Sequence, residues 1–189
     1  MRASTLTLMA LLTACGGGEA TTPEPDLLPQ SYAVSECGGF KAHAATALAP
    51  APQSYCDAEV LRWTYDKGAG KLAFANDRVA LNCCGERVMK LAEVNGTYEI
   101  RETDAPEQIV TASGTSEARC HCMCVFDLEV EAEQIPSGQI QVKLIREITD
   151  SNEPAKTVYS GSLDLSAGSG LVVVDGSPLM MDASGRCGM

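Results

Sequence analysis

The sequence predicts an all-β domain: an antiparallel β-sandwich, Ig-like or transthyretin-like in general architecture, and rich in disulfides. Three observations predict it. Residues 119–133 alternate with period two, a pattern that a helix of 3.6 residues per turn cannot keep. Short extended segments separated by turn signals fill the chain from residue 59 to residue 175, with no long amphipathic helix and no βαβ alternation among them. Once Cys15 near the start is set aside, eight cysteines remain, an even number that reads first as a disulfide framework in an exported chain.

Taken in order, the chain opens with Arg2, a short apolar run over 6–12, and then Leu12-Thr13-Ala14-Cys15. The run is far below the ~20 residues that span a bilayer as a helix. A positive residue, a short apolar core and small residues before a cut site are the parts of an export signal. With a cysteine directly after Ala14, the stretch resembles the bacterial lipobox, over the first fifteen residues only. The resemblance implies a lipoprotein signal peptide over 1–14, a diacylglycerol on the Cys15 thiol and acylation of the new amino terminus. The single Arg2 is a thin version of the usual positive segment. A protein so processed is held in the cell envelope, its membrane partner reached through the N-terminal lipid, where each buried CH₂ contributes about 0.8 kcal/mol. Gly16 in place of an Asp after the cysteine points to the outer membrane.

Residues 15–31 read as a tether. Gly16, Gly17 and Gly18 make its first part flexible, and Pro23 and Pro25 extend the second. The folded domain is expected over 32–189, starting near Tyr32. An Ala/Pro-rich run, 42–53, reads as a loop bracketed by Cys37 and Cys56. Strands follow at 60–65, 71–75, 78–83, 87–94 and 97–102, with turns at 66–70 and at Asn76-Asp77. Asn95-Gly96 is the strongest hairpin signal, because both residues tolerate positive φ. Residues 104–118 read as a long loop. The longest strand, 119–133, places Cys120, Cys122, Cys124, Phe126, Leu128 and Val130 on one face. His121, Met123, Val125, Asp127, Glu129 and Glu131 fall on the other. Pro136-Ser137-Gly138 turns the chain into a strand at 139–148, and strands at 158–165 and 171–175 close the pattern. The tail carries Met180-Met181 and Cys187.

The disulfide candidates are Cys37, Cys56, Cys83, Cys84, Cys120, Cys122, Cys124 and Cys187. In a strand, Cys83 and Cys84 face opposite ways and need different partners. One or two of the 120–124 cysteines can meet them across the sheets, and Cys37 and Cys187 can tie the two ends of the domain to the cluster. The alternative is a metal or redox site at Cys120, Cys122, Cys124 and Cys83, whose soft sulfurs suit Zn or Cu. The alternation turns His121 and Met123 away from those sulfurs, and the spacing matches no Cys-x₂₋₄-Cys zinc pattern. The stretches Asn82-Cys83-Cys84-Gly85 and Arg119-Cys120-His121-Cys122-Met123-Cys124-Val125-Phe126-Asp127 resemble those of a group of Gram-negative lipoproteins with a Cys-rich β-domain. That resemblance spans about 62–148 and implies export and a β-fold, but no activity.

Composition narrows the functional classes. With 25 acids against 14 bases the formal charge is −11, and removal of residues 1–14 makes it −12. Such a chain repels phosphates, so no nucleic-acid partner is expected. Aromatic residues make up 5%, with Trp63 the lone tryptophan, which argues against an aromatic-lined sugar groove. There are two histidines, His43 and His121, and no His-Glu-x-x-His, Gly-x-Ser-x-Gly, Ser-x-x-Lys or P-loop pattern, so no enzyme is expected. Glu129, Glu131 and Glu133 read as a solvated sheet edge. Glu102 and Asp104 read as loop-flanking surface acids with a minor option of cation binding. The expected role is binding or structural, with an unspecified envelope protein as a possible partner.

Overall fold

The structure, a computed structural model, describes residues 28–38, 58–112 and 114–176. The described chain is nearly all strand. In order it forms β1 (Gln30–Val34), β2 (Glu59–Asp66), β3 (Lys71–Asn82), β4 (Glu86–Val94), β5 (Thr97–Ala105) and β6 (Glu107–Thr111). It continues with β7 (Gly114–Ala118), β8 (Met123–Ala132), β9 (Gln139–Ile148), β10 (Lys156–Asp164) and β11 (Ser169–Asp175). A single 3₁₀ turn, Leu165–Ala167, joins the last two, capped by the Asp164 carboxylate on the Ser166 N–H. Cys15, Cys56, Cys187, His43, Met180 and Met181 lie outside the described residues, as do the signal segment and most of the tether.

Five strands form one sheet in the order β1-β8-β3-β2-β11, and four form a second in the order β10-β9-β5-β4. Alternate residues of each sheet meet in one core. Leu61, Phe74, Leu81, Leu128 and Val130 come from the first, and Met89, Leu91, Ile100, Val142 and Leu144 from the second. Burial of each such side chain contributes roughly 1.5–3 kcal/mol. The disulfide-rich all-β prediction therefore holds. One pair in the second sheet, β5 with β9, runs parallel, which the expected all-antiparallel layout did not include.

The turns at 66–70, Asn95-Gly96 and 136–138 stand where the sequence put them. Asn95 (φ 52) and Gly96 (φ 78) both take the left-handed conformation that a two-residue hairpin needs. Three other readings are corrected. Asn76-Asp77 is no chain reversal. It belongs to a bulge in the continuous strand β3, where pairing with β8 shifts between Asn76 and Val79. Arg78 sits at φ 64, and its N–H donates to Asp127 Oδ1 at 3.0 Å. The bulge changes the inward parity from Leu72, Phe74 and Asn76 to Val79 and Leu81.

Residues 104–118 are not a loop. Asp104 and Ala105 end β5, and β6 and β7 form a separate two-stranded hairpin with almost every residue exposed. Polar and small residues gave it no amphipathic pattern to read. The Glu129–Glu133 acids mark no edge either, because β8 lies between β1 and β3; Glu131 instead pairs with Lys71 across the outer face. β1, which the sequence reading did not assign, begins two residues before the expected domain start. Its Gln30 side chain bonds both backbone groups of Leu91 on β4, at 2.7 and 3.2 Å, and so ties one open side of the sandwich together.

Candidate functional site

The residues with distinctive chemistry gather at one end of the sandwich, where β3 and β4 turn and β8 begins. Three disulfides stand there among the described residues: Cys37–Cys124, Cys83–Cys122 and Cys84–Cys120. The adjacent Cys83 and Cys84 do take different partners, but they lie in the turn after β3 and not in a strand, so the pleat on which that expectation rested does not set their directions. They reach them just beyond the paired end of β3 and β8, between the β3–β4 turn and the segment that leads into β8, and not across the sheets. Cys37 does tie the start of the domain to the cluster.

The expected inward face is shorter than the alternation suggested. Strand pairing begins at Met123, so Cys120 to Cys122 lie in the turn before β8. Cys124 is buried, Cys122 is exposed, and Cys120 is half-buried. The physical reason is the end of the partner strand: β3 stops at Asn82, opposite Met123, so residues 120–122 have no strand beside them to pair with. Met123 and His121 are exposed.

Asn82 organises this turn. Its Oδ1 accepts the N–H groups of Cys84 (3.0 Å) and Cys120 (3.3 Å), while its Nδ2 donates to the Cys120 carbonyl at 2.8 Å. The Cys83 N–H donates to the Cys122 carbonyl at 3.1 Å. Arg87 Nη1 and Nη2 donate to the carbonyls of Gly85 and Asn82, on either side of the dicysteine, and its guanidinium lies 3.9 Å from the centre of the Phe126 ring. Burial lowers the Arg87 pKa from its ordinary value, a shift that Asp104 opposes. Gly85 has φ +122, and a Cβ there would strike the Ala105 carbonyl, so this turn position requires glycine.

Asp104 accepts the Asn82 N–H at 3.2 Å and the Arg119 Nη1 at 2.6 Å. Arg119 also holds Asp150 through two bonds, at 2.6 and 3.0 Å. Hydrogen bonding to Asp150 raises the Arg119 pKa, and bonding to Arg119 lowers that of Asp150. Neighbouring Glu102 forms a second ionic cluster between the sheets. Arg146 on β9 bridges Glu102 (2.8 Å) and Glu59 (2.5 Å), and Asn76 Nδ2 donates to both carboxylates. Glu102 and Asp104 are thus buried, at 1% and 2% exposure, not surface acids. Each already has an arginine partner, Arg146 for Glu102 and Arg119 for Asp104.

The metal reading is also reshaped. The sulfurs of Cys83, Cys120 and Cys122 all lie within 4.8 Å of one another, whereas Cys124 is committed to Cys37 and is not one of that group. A soft-metal ligand must be a thiolate, and a bridged sulfur is not one. The three cysteines could therefore hold Zn or Cu only after reduction.

The two bridges at Cys83 and Cys84 join nearly the same two points of the chain. With either in place, the other closes a ring of only a few residues, for which loop-closure entropy gives about 2 kcal/mol at most. Cys84→Ser with Cys120→Ser is expected to cost no more than that in urea unfolding. Loss of all four cysteines is expected to cost more than the two paired substitutions summed.

Away from this end, the outer face of the five-stranded sheet carries a groove of about 420 Å³. Ala73 and Ala75 floor it, with Arg62 and Thr64 on one side and Glu129 and Glu131 on the other. Of the framework residues, Asn82 and Arg119 are visible in sequence as neighbours of the cysteines. Their meeting at Asp104 is not, because it depends on the second sheet. Comparison with protein-family models, curated proteins and solved structures found no match for the chain.

Proposed function

We propose that the protein is a lipid-anchored component of the bacterial cell envelope, attached at Cys15, most consistent with the outer membrane, whose disulfide-locked β-domain serves a binding or structural role. The observation that carries this reading is the set of three bridges in one β-domain. Such density belongs to an oxidising compartment, where thiols do not stay reduced. The Leu12-Thr13-Ala14-Cys15 motif supports the anchor, residues 15–31 the tether and 32–189 the displayed domain. The groove over Ala73 and Ala75 offers a surface for a partner, with opposite charges along its two sides.

Expression of the full chain in a Gram-negative host with a labelled fatty acid tests the anchor. Label is expected in the membrane fraction and absent after Cys15→Ser, with the variant released or retained as unprocessed precursor. Equal labelling of both proteins would overturn the anchor.

A second reading, a metal- or redox-handling envelope protein, is favoured by the proximity of the Cys83, Cys120 and Cys122 sulfurs. Thiol titration and elemental analysis of protein purified without reductant separate the two. Bridged cysteines without metal support the first reading, and reactive thiols with stoichiometric Zn or Cu support the second.

A further inference from the structure

The geometry points to a thiol–disulfide exchange site: we propose that the paired bridges accept an electron pair from an external dithiol at Cys122 and pass it on to Cys84. This rests on the bridged, oxidised state described above and adds an activity to it. Three features carry it. Cys122 is exposed while its partner Cys83 is half-buried, so one sulfur of that bridge is open to attack. The Cys120 sulfur lies within 4.8 Å of both Cys83 and Cys122, although it belongs to the other bridge. Either bridge can open while the other still joins β3 to the start of β8, so chemistry here does not unlock the fold.

The steps balance. A thiolate of the dithiol attacks Cys122 Sγ, forming a mixed disulfide and breaking the Cys83–Cys122 bond, whose electron pair stays on Cys83. The Cys83 thiolate attacks Cys120 Sγ, forming Cys83–Cys120 and breaking Cys84–Cys120, whose electron pair stays on Cys84. The second thiol of the dithiol resolves the mixed disulfide and frees Cys122. The dithiol leaves as a disulfide, its two protons are returned to Cys84 and Cys122 through solvent, and the chain has gained two electrons.

One cation neighbours the dicysteine: the Arg87 guanidinium donates to the carbonyls on both sides of Cys83-Cys84, whereas Arg119, which precedes Cys120, is paired with Asp104 and Asp150. Neighbouring positive charge favours the thiolate as nucleophile and as leaving group. Asn82 holds the Cys84 and Cys120 backbones together while the sulfurs change partners.

The test uses the full chain in detergent, treated with one molar equivalent of dithiothreitol, quenched in acid, alkylated with a maleimide and digested at acid pH for tandem mass spectrometry. The expected product carries maleimide on Cys84 and Cys122 and a new Cys83–Cys120 crosslink. Alkylation confined to a native pair, Cys83 with Cys122 or Cys84 with Cys120, overturns the proposal, as does a failure to reduce any of the four. Untreated protein provides the control. If it already shows these four as free thiols, the bridged reading fails first and the proposal with it. The Cys84→Ser/Cys122→Ser variant gives a second measurement: treated with oxidised glutathione, which takes up the two electrons and leaves as two thiols, it is expected to form Cys83–Cys120, and two free or glutathionylated thiols in its folded form would count against exchange.

Discussion

Arg146→Leu is expected to destabilise the domain by about 3–5 kcal/mol at neutral pH, the cost of leaving buried charge without its counter-ion. In the native cluster one guanidinium serves two carboxylates, Glu59 and Glu102, and the three charges sum to −1. Burial raises the Glu102 pKa, and Arg146 partly offsets that rise. Burial also works against the Arg146 charge, but Glu102 and Glu59 outweigh it and hold the guanidinium above its ordinary range. The sign of the pH dependence follows. A carboxyl whose folded pKa is raised imposes no penalty below its unfolded pKa and its full penalty above the folded one. The native domain therefore loses stability from Glu102 as pH rises from the ordinary carboxyl range, and removal of Arg146 enlarges that loss. Urea unfolding at pH 7 and near pH 4 checks this. The deficit of the variant is expected to shrink at the lower pH, where Glu102, its pKa raised by burial, can take up a proton. A deficit independent of pH would mean that Arg146 acts through packing alone. Arg146→Lys keeps the charge but not the fork that reaches both carboxylates, and is expected to fall between the two.

Removal of the Cys37–Cys124 bridge is the second large effect expected. It joins residues 87 apart, the longest span of the three. Even with the Cys83 and Cys84 bridges shortening the path, loop-closure entropy assigns it about 4 kcal/mol. For a domain of this size that corresponds to a fall in Tm of roughly 10 °C. Cys37→Ser with Cys124→Ala removes the bridge without placing a hydroxyl in the core. The loss is also expected to be visible locally. The N–H groups of Ser35 and Gly38, bonded to the Asp127 and Val125 carbonyls at 2.9 and 3.0 Å, should lose hydrogen-exchange protection ahead of β3 and β8. A loss no larger than that of Cys84→Ser/Cys120→Ser would show that β1 docks without help from the crosslink.

How these features could be read in advance differs by residue. The hairpin at Asn95-Gly96 was legible because two adjacent residues carry the conformation locally. The core face of β8 from Cys124 to Val130 was legible because one face of a strand repeats every second residue. The bulge at Arg78 was not, since an Asn-Asp pair is equally a turn signal; what keeps the strand running is Asp127, 49 residues away, accepting the Arg78 N–H. Glu102 looked like a surface acid because its partner, Arg146, is 44 residues distant and comes from the parallel neighbour strand.

The cysteines show the same division. Their even number is a property of composition and the alternation beside them one of strand pleat, so the residues alone pointed to a bridged β-domain in which the adjacent Cys83 and Cys84 take two partners. Which sulfurs meet depended on which strands lie side by side. Pairing of β3 with β8 placed Cys83 and Cys84 opposite Cys122 and Cys120, and pairing of β1 with β8 brought Cys37 to Cys124. Strand adjacency is set by burial of both sheets in one core, a long-range condition that no local spacing encodes.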